Sequence, residues 1–141
     1  MKTPRKILIV RFPFVSVFGG GEVHTITMID LFRAHAIPLE FLGSDATILG
    51  AFRERNLPAQ KMWGGKEPVT VWALFLFPFT APFVTMRLFW NLLRRRMRGT
   101  DTVICISLTD KLLATPIARA LGMQVVWVEH VTLDRWLTHN P

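Results

Sequence analysis

Cysteine and tyrosine are nearly absent, since the 141 residues include one cysteine and no tyrosine. Cys105 therefore has no partner for an internal disulfide, which excludes the disulfide frameworks of small secreted proteins and fits a reducing cytoplasm. Because Cys105 lies in an apolar run, we interpret it as a core residue. One cysteine and four scattered histidines supply no set of zinc ligands, so no metal is expected.

Acidic residues are also scarce, with 10 Asp and Glu against 17 Lys and Arg and a net charge of +7. Half of the residues are hydrophobic and 19% are charged, which excludes a disordered polyelectrolyte and predicts one folded domain. The apolar run from Ile7 to Val10 follows a basic start, but Arg11 and Pro13 interrupt it. A signal peptide needs about 7–15 uninterrupted apolar residues, so we expect a cytoplasmic protein.

Five short apolar runs alternate with segments of helical periodicity. This alternation predicts a single α/β domain with a Rossmann-like, doubly wound parallel sheet. The predicted strands are Lys6 to Arg11, Ile37 to Leu42, Gln60 to Trp63, Asp101 to Ser107 and Gln124 to Glu129, and the first and last of them are predicted to be buried. The predicted helices are Glu22 to about His35, with Val23, Ile26 and Ile29 on its apolar face, Ala46 to Asn56, and Thr109 or Asp110 to Gly122.

One segment breaks this alternation. From Pro68 to Met86 there are 19 consecutive uncharged residues rich in Phe, Val and Trp, and no acidic residue occurs between Glu67 and Asp101. The net charge of the chain is concentrated just after this run. Five of the 17 basic residues lie there, namely Arg87, Arg94, Arg95, Arg96 and Arg98.

Three interpretations of this segment remain open. It is long enough for a membrane span, which needs about 17–25 residues, although Pro78 and Pro82 argue against a regular helix and a span would interrupt the sheet. It can instead lie in the membrane interface, or form an ordinary crossover helix from Phe83 to Met97 with solvated arginines. The interfacial interpretation assigns membrane contact to Trp72, Phe75, Phe79, Phe83, Trp90, Arg94, Arg95, Arg96 and Arg98.

Three consecutive glycines, Gly19, Gly20 and Gly21, lie between the first strand and the first helix. Glycines there let the backbone approach an anion, and the free amides of a helix N-terminus favour negative charge. A dinucleotide fingerprint needs glycine at the position of His24, and no Gly-Lys-Ser or Gly-Lys-Thr follows, so neither NAD, FAD nor a P-loop is expected. The three glycines and Glu22 are the candidate phosphate-binding residues. The alternatives are a flexible turn and a Glu22 carboxylate that only complements the helix N-terminus.

The last predicted strand is followed by a histidine, His130. In open parallel sheets ligands bind at the carboxyl ends of strands, so we expect His130, the glycine loop, Ser107 and Thr109 to converge on one edge. The His130 imidazole is the candidate catalytic group, either as a hydrogen-bond donor to substrate or as a base. The alternative is a histidine satisfied by neighbouring backbone. Ser107 and Thr109 are assigned to the rim of the cleft.

In order and spacing, five segments resemble the N-terminal domain of family 4 glycosyltransferases. Those enzymes have the GT-B architecture, in which two Rossmann-like domains bind a nucleotide-sugar donor in the cleft between them. The resemblance covers nearly the whole chain and is most specific at the glycine loop with Glu22 and at the strand ending in His130. The segments are Lys6 to Arg11, Gly19 to His24, Leu31 to Ile37, Asp101 to Ser107 and Leu121 to His130.

The resemblance implies an acceptor-side domain whose glycine loop faces the donor diphosphate or the acceptor, with His130 near the transferred sugar. It implies no metal and no cofactor other than the nucleotide-sugar co-substrate. Three departures stand out: Ala36 replaces a glycine, Ser107 replaces a histidine, and the C-terminal donor-binding domain with its paired glutamates is missing from these 141 residues. We therefore expect a truncated family member that is inactive alone.

The expected function is transfer of a sugar from a nucleotide-sugar donor to a lipid-linked or envelope glycan acceptor, on the cytoplasmic face of an anionic membrane. The alternative is a non-catalytic, membrane-associated binding module or the partner half of a split transferase. Nucleic-acid binding is not expected, because the clustered arginines lie in an apolar sequence without a recognition motif.

Overall fold

The computed structural model describes residues 5–13, 19–65 and 70–129 of the chain. Within these ranges strands and helices alternate strictly, as the sequence predicts. In chain order the elements are β1 (Lys6–Arg11), α1 (Gly20–Ala34), β2 (Leu39–Gly43), α2 (Ala46–Glu54), β3 (Ala59–Lys61), α3 (Val71–Met97), β4 (Thr100–Cys105), α4 (Leu108–Ala120) and β5 (Gln124–Trp127).

The strands form one parallel sheet in the order β3-β2-β1-β4-β5, so the protein has the predicted Rossmann-like α/β fold. β1 lies at the centre, where Ile9 pairs with Phe41 of β2 and with Ile104 of β4. Leu8, Ile9 and Val10 are fully buried because helices cover both faces of the sheet. The first apolar run of the sequence is therefore its central strand.

Helices in pairs cover the two faces of the sheet. Successive side chains of a strand point to opposite faces, so Leu8 packs in one apolar cluster with Leu88 of α3, whereas Ile9 packs in another with Phe52 of α2. The cluster under α3 and α4 also contains Cys105, which is fully buried, as predicted. Alternate residues of each central strand thus contribute to the two different halves of the core.

The last strand differs from its prediction. β5 ends at Trp127 instead of Glu129 and lies at the edge of the sheet within the described residues. Val126 and Trp127 are 45% and 56% exposed because β5 pairs there with β4 alone, so the prediction of a buried strand is wrong. β3 and β4 also end earlier than expected, at Lys61 and Cys105.

α1 buries the predicted face at Ile26 and Ile29 but not at its start. Val23 is half-exposed, which contradicts its assignment to the apolar face, whereas Thr25 is fully buried. The Thr25 hydroxyl donates to the carbonyl oxygen of Gly21 at 2.8 Å, so it is satisfied inside the helix and the residue can face the core. Ile29 is fully buried, as predicted.

α3 begins well before Phe83, where the crossover helix was predicted to start, and runs unbroken through Pro78 and Pro82. Each proline leaves the carbonyl four residues earlier without its helical partner. These carbonyls belong to Leu74 and Pro78, which lie on exposed turns where solvent can bond to them. The expectation that the prolines prevent a regular helix is therefore wrong.

Arg95 fixes the second half of α3 to the sheet and is only 9% exposed. Its Nε donates to Glu40 Oε2 at 3.0 Å, its Nη2 to Gln60 Oε1 at 3.0 Å, and its Nη1 to the backbone and side-chain oxygens of Asn91. Lys6 also pairs with Glu40. Burial lowers the pKa of Arg95, and the charge of Glu40 opposes that effect. These five residues, the Arg95 cluster, hold Arg95 away from any lipid, which corrects its assignment to membrane contact.

Candidate functional site

The carboxyl ends of β1 and β4 meet the start of α4 at one edge of the sheet. The Phe12 amide, just after β1, donates to Ser107 Oγ at 3.1 Å and to Asp110 Oδ1 at 3.2 Å. Ser107 is the residue preceding α4, and its hydroxyl also donates to Asp110. Ser107 therefore joins two strand ends at this edge, where the sequence placed it, and its hydroxyl is engaged by the protein.

Asp110 is the buried acceptor that organises this junction. Its carboxylate accepts from the backbone amides of Ile106 at 2.5 Å and Ser107 at 3.0 Å, in addition to Phe12. Burial raises the pKa of Asp110 to about 7, although these hydrogen bonds act in the opposite direction. The neighbouring Thr109 is also fully buried, so it does not line an open rim.

Arg11, the last residue of β1, is the functional candidate that sequence reasoning missed. It is 8% exposed and lies between two carboxylates. Its Nη2 donates to Glu22 of α1, and its Nε lies 3.0 Å from Asp45 Oδ2. The other Asp45 oxygen caps α2 by accepting from the Ile48 amide at 3.0 Å. We call Arg11, Glu22 and Asp45 the Arg11 cluster.

The Arg11 guanidinium keeps unused hydrogen-bonding capacity. Across the described ranges its Nη1 has no hydrogen-bond partner, and its Nε, although close to Asp45, is not aligned for a hydrogen bond. A buried N–H group without a partner is costly and is therefore uncommon in folded proteins. An arginine at the end of the first apolar run was the signal for this group, but it had been interpreted only as an interruption of that run.

Glu22 binds protein groups with both of its carboxylate oxygens. Oε2 accepts from the Gly19 amide at 2.8 Å, and Oε1 accepts from Arg11. Burial alone raises the pKa of Glu22, but hydrogen bonds from the backbone amides of Glu22 and Gly19 and the charge of Arg11 outweigh it and lower the pKa overall. Glu22 therefore caps α1 and orients Arg11, as in the alternative interpretation, and is not itself a phosphate ligand.

Gly20 and Gly21 form the first turn of α1, where backbone N–H groups have no partner inside the helix. A Cβ built on Gly20 would meet no atom of the described residues within 4 Å, and the φ of Gly20 lies outside the left-handed region. Among these residues nothing requires glycine at position 20. Space beside the first amides of a helix is the arrangement that lets an anion approach a helix N-terminus.

Gly43, at the end of β2, permits the close approach of β2 to Arg11. A Cβ on Gly43 would lie 2.1 Å from the Arg11 carbonyl oxygen, a distance that no side chain tolerates. The same oxygen accepts from the Ser44 amide at 3.1 Å. The backbone of the Arg11 cluster is thus fixed from the β2 side.

His130 lies outside the described residues, so its position at the sheet edge remains a prediction. Within residues 5–13, 19–65 and 70–129, no three His, Cys, Asp or Glu side chains come together as a group that could hold a metal ion. The described groups at the edge are therefore hydrogen-bond donors and carboxylates: the amides of Gly20 and Gly21, the Arg11 cluster, and Asp110.

No family model matches the chain, and no curated protein matches its sequence. Solved structures do share its fold. Two crystal structures of the C-terminal domain of the PF1911 hydrogenase from Pyrococcus furiosus have TM-scores of 0.58 and 0.60 at 14% and 12% identity. They cover 91% and 92% of this chain, which in turn covers 94% of each of those chains.

The apo form of the lipopolysaccharide outer core galactosyltransferase WaaB has the same fold over 92% of this chain, with a TM-score of 0.57 and 18% identity. The chain spans about a third of WaaB, covering 34% of it. At such low identities the similarity establishes the Rossmann-like fold alone. A glycosyltransferase and a hydrogenase domain both contain this fold, so function has to be argued from the site.

Proposed function

We propose that this chain is the acceptor-side half of a glycosyltransferase that binds the diphosphate of a nucleotide sugar at the carboxyl edge of its sheet. The observation that carries the proposal is the buried Arg11, whose Nη1 has no partner in the described ranges, close to the glycine-built N-terminus of α1. Both groups donate hydrogen bonds and attract negative charge. The shared fold of the galactosyltransferase WaaB favours a nucleotide sugar as the source of the diphosphate.

Each group at this edge has a separate role in the proposed complex. The amides of Gly20 and Gly21 and the Nη1 of Arg11 bind phosphate oxygens. Glu22 keeps its bond to Nη2 and so orients the guanidinium. In glycosyl transfer the nucleoside diphosphate is the leaving group, and its negative charge grows as the bond to the sugar breaks. Donors already held in place stabilise that charge without reorganisation.

The proposed acceptor is a lipid-linked or envelope glycan at the cytoplasmic face of the membrane. His130 remains the candidate for a catalytic role near the transferred sugar, as the family resemblance implies. Since the chain covers 34% of WaaB, we propose that a second Rossmann-like domain completes the cleft. That domain would come from further sequence or from a separate chain, and the 141 residues alone would bind donor weakly and transfer little sugar.

The Gly20→Ala variant tests this site with little risk to the fold. A Cβ there has open space, and alanine is a better helix former than glycine by about 0.5–1 kcal/mol. We expect unchanged or slightly higher thermal stability together with about ten-fold weaker binding of UDP or GDP, corresponding to about 1.4 kcal/mol. Ligand-observed NMR at millimolar nucleotide measures the binding, because one wall of a cleft binds weakly.

The matched control is Gly50→Ala in α2, where a Cβ likewise meets nothing within 4 Å. This variant should bind UDP and GDP as the unmodified chain does. Inorganic pyrophosphate, titrated in parallel, separates recognition of the diphosphate from recognition of the nucleoside. Equal binding by the Gly20→Ala variant and the unmodified chain, or no binding of any of these ligands, would show that the site is wrongly assigned.

A further inference from the structure

The solvent-facing side of α3 carries a continuous row of large apolar side chains. They follow one another at spacings of three or four residues, so they lie on one face of the helix over about 27 Å. Each is between 53% and 79% exposed. This aromatic stripe consists of Trp72, Phe75, Phe79, Phe83, Met86 and Trp90.

The core fixes the rotation of α3 and leaves the aromatic stripe outside. Val84, Leu88 and Leu92 are buried against the sheet on the opposite side of the helix, and Arg95 is held in its cluster. The stripe cannot turn inwards without removing these residues from the core. Soluble monomers rarely expose so long an apolar surface, which usually marks an interaction site.

Positive charge borders the stripe on its C-terminal side. Arg94 lies one turn beyond Trp90, Arg87 lies one turn beyond Phe83, and both side chains are exposed. Arg98 follows one turn after Arg94 and is also exposed. No acidic residue occurs between Glu67 and Asp101 to balance them. Arg96 faces another way and donates to the Leu121 carbonyl at 3.2 Å.

We propose that the aromatic stripe docks on an anionic membrane surface. Its aromatic side chains enter the boundary between headgroups and acyl chains, while Arg87 and Arg94 meet lipid phosphates. Charge complementarity selects this occupant, because a second copy docked through the same stripe would bring the same positive border, and no acidic residue lies between Glu67 and Asp101 to pair with it. The inference does not depend on the proposed function.

The helix geometry favours the interface over a membrane span. Within the described residues α3 is the one helix long and apolar enough to cross a membrane, with a mean hydropathy of 1.5 over its most apolar stretch. Val84, Leu88 and Leu92 in its second half are buried in the core, and in its first half Ala73 is buried while Phe77 and Ala81 pack against the core. The hydrocarbon core of a bilayer is about 30 Å thick, so a span would surround the helix with lipid and remove these residues from the domain. A helix that lies at the bilayer surface keeps this packing and presents only the aromatic stripe to lipid.

An open apolar groove of about 480 Å³ continues the stripe towards α4. Pro82, Met86 and Phe89 line it on α3, and Ile117 lines it on α4. Met86 belongs to both the stripe and the groove, so the two features form one apolar surface. Such a surface offers acyl chains more contact area than the stripe alone.

The first half of α3 also lies near the carboxyl edge of the sheet. The Cβ position of Gly65, which follows β3, is 3.6 Å from Thr80 of α3. The adjacent Gly64 approaches the ring of Phe12, the residue after Arg11. Docking through the stripe would therefore hold the Arg11 end of β1 towards the bilayer.

The direct test is sedimentation of the full chain with vesicles of phosphatidylcholine containing 0% or about 30% phosphatidylglycerol. We expect binding that rises with the anionic lipid and falls with salt. A Phe79→Ser/Phe83→Ser variant should bind at least about ten-fold more weakly, because each phenylalanine contributes apolar burial. An Arg87→Gln/Arg94→Gln variant should lose about five-fold per arginine, and only on anionic vesicles.

The matched controls lie on the opposite face of the sheet. Val23→Ser/Leu31→Ser removes two exposed apolar side chains of α1, and Arg33→Gln/Arg53→Gln removes two exposed charges. Both control variants should bind vesicles within two-fold of the unmodified chain. A second measurement needs no change at the phenylalanines: brominated lipids should quench the fluorescence of Trp72 and Trp90, and Trp72→Phe/Trp90→Phe should remove most of that quenching.

Several results would overturn the proposal. Vesicle binding that does not change with phosphatidylglycerol or salt would contradict the electrostatic part of the proposal. An equal loss of vesicle binding in the stripe variants and the control variants would mean that another surface binds. Resistance to alkaline extraction from vesicles would indicate a span. Concentration-dependent dimers in sedimentation velocity, abolished by Phe79→Ser/Phe83→Ser while vesicle binding persists, would assign the stripe to self-association.

Discussion

Two buried arginines stabilise this domain in different ways. Arg95 and Arg11 are 9% and 8% exposed, and each faces at least one carboxylate. All three guanidinium nitrogens of Arg95 donate to oxygens of its own cluster. Arg11 makes one aligned donation, to Glu22, and its Nη1 has no partner in the described part of the chain.

The difference distinguishes a structural residue from a candidate binding residue. Every guanidinium nitrogen of Arg95 has a partner, and its bonds to Glu40 and Gln60 join α3 to β2 and β3. Arg11 is equally buried but retains a donor, and it lies at the edge where ligands of parallel sheets bind. The two arginines are equally buried, and the number of donors with a partner separates them.

Removing Arg11 should produce the largest loss of stability. Arg11→Met leaves the buried carboxylates of Glu22 and Asp45 without their opposing charge, which costs about 3–5 kcal/mol for a broken buried pair. Urea unfolding measures the change, and Arg11→Lys, which keeps the charge, should recover part of it. A loss below about 1 kcal/mol would mean that Arg11 does not hold these carboxylates.

The stability of the domain should depend on pH through Asp110, which lies at the same edge of the sheet as Arg11, and not through the Arg95 cluster. Asp110 holds a proton in the folded state up to about pH 7, whereas the unfolded chain releases it near pH 4. The folded state therefore binds more protons in between, and the free energy of unfolding should fall as pH rises, by up to about 1.4 kcal/mol per pH unit. Urea titrations from pH 5 to pH 8 measure this slope.

The Asp110→Asn variant isolates the contribution of Asp110 from those of the histidines. Its absolute stability should be lower, because an amide cannot replace every accepted hydrogen bond, but its slope against pH should be flatter. Identical slopes in the variant and the unmodified chain would mean that Asp110 is ionised throughout this range.

Removing Arg95 should have the smallest of the three effects, about 2 kcal/mol. Arg95→Met deletes hydrogen bonds to Glu40, Gln60 and Asn91, but Lys6 still pairs with Glu40, so no buried carboxylate is left without a cation. The neighbouring Arg94→Met, at an exposed position, is the control and should change stability by less than about 0.5 kcal/mol. Thermal and urea unfolding compare the two variants. Equal losses of stability in both would contradict the structural role of the Arg95 cluster.

The central strands were predictable because a parallel strand that is buried on both faces consists of consecutive apolar residues. β1 and β4 were recognised in this way. The three glycines were correctly placed at the start of α1, but Gly20 and Gly21 belong to the helix, which was predicted to begin at Glu22. The ends of the strands were less certain, since Ser107 belongs to the apolar stretch after β4 but serves as the residue preceding α4. The local composition does not indicate at which residue strand pairing ends and the cap of the next helix begins.

The roles of the arginines were not predictable from charge alone. Four arginines lie between positions 94 and 98, and the sequence assigned them all to one membrane face. The missed signal was the phase of the helix, because Val84, Leu88, Leu92 and Arg95 recur at helical spacing and so share the buried face. Arg11 depends on Asp45, far away in sequence, and only the folded sheet brings those two together.

The tight contact between the end of β2 and the Arg11 carbonyl has a consequence for finding distant relatives. No residue with a side chain fits at Gly43 while the two strands keep this register. A homologue that preserves the register must therefore keep glycine there, however far the rest of its sequence has drifted. A glycine that closes the second strand, opposite the last residue of the first, therefore marks a position at which divergent homologues can be aligned.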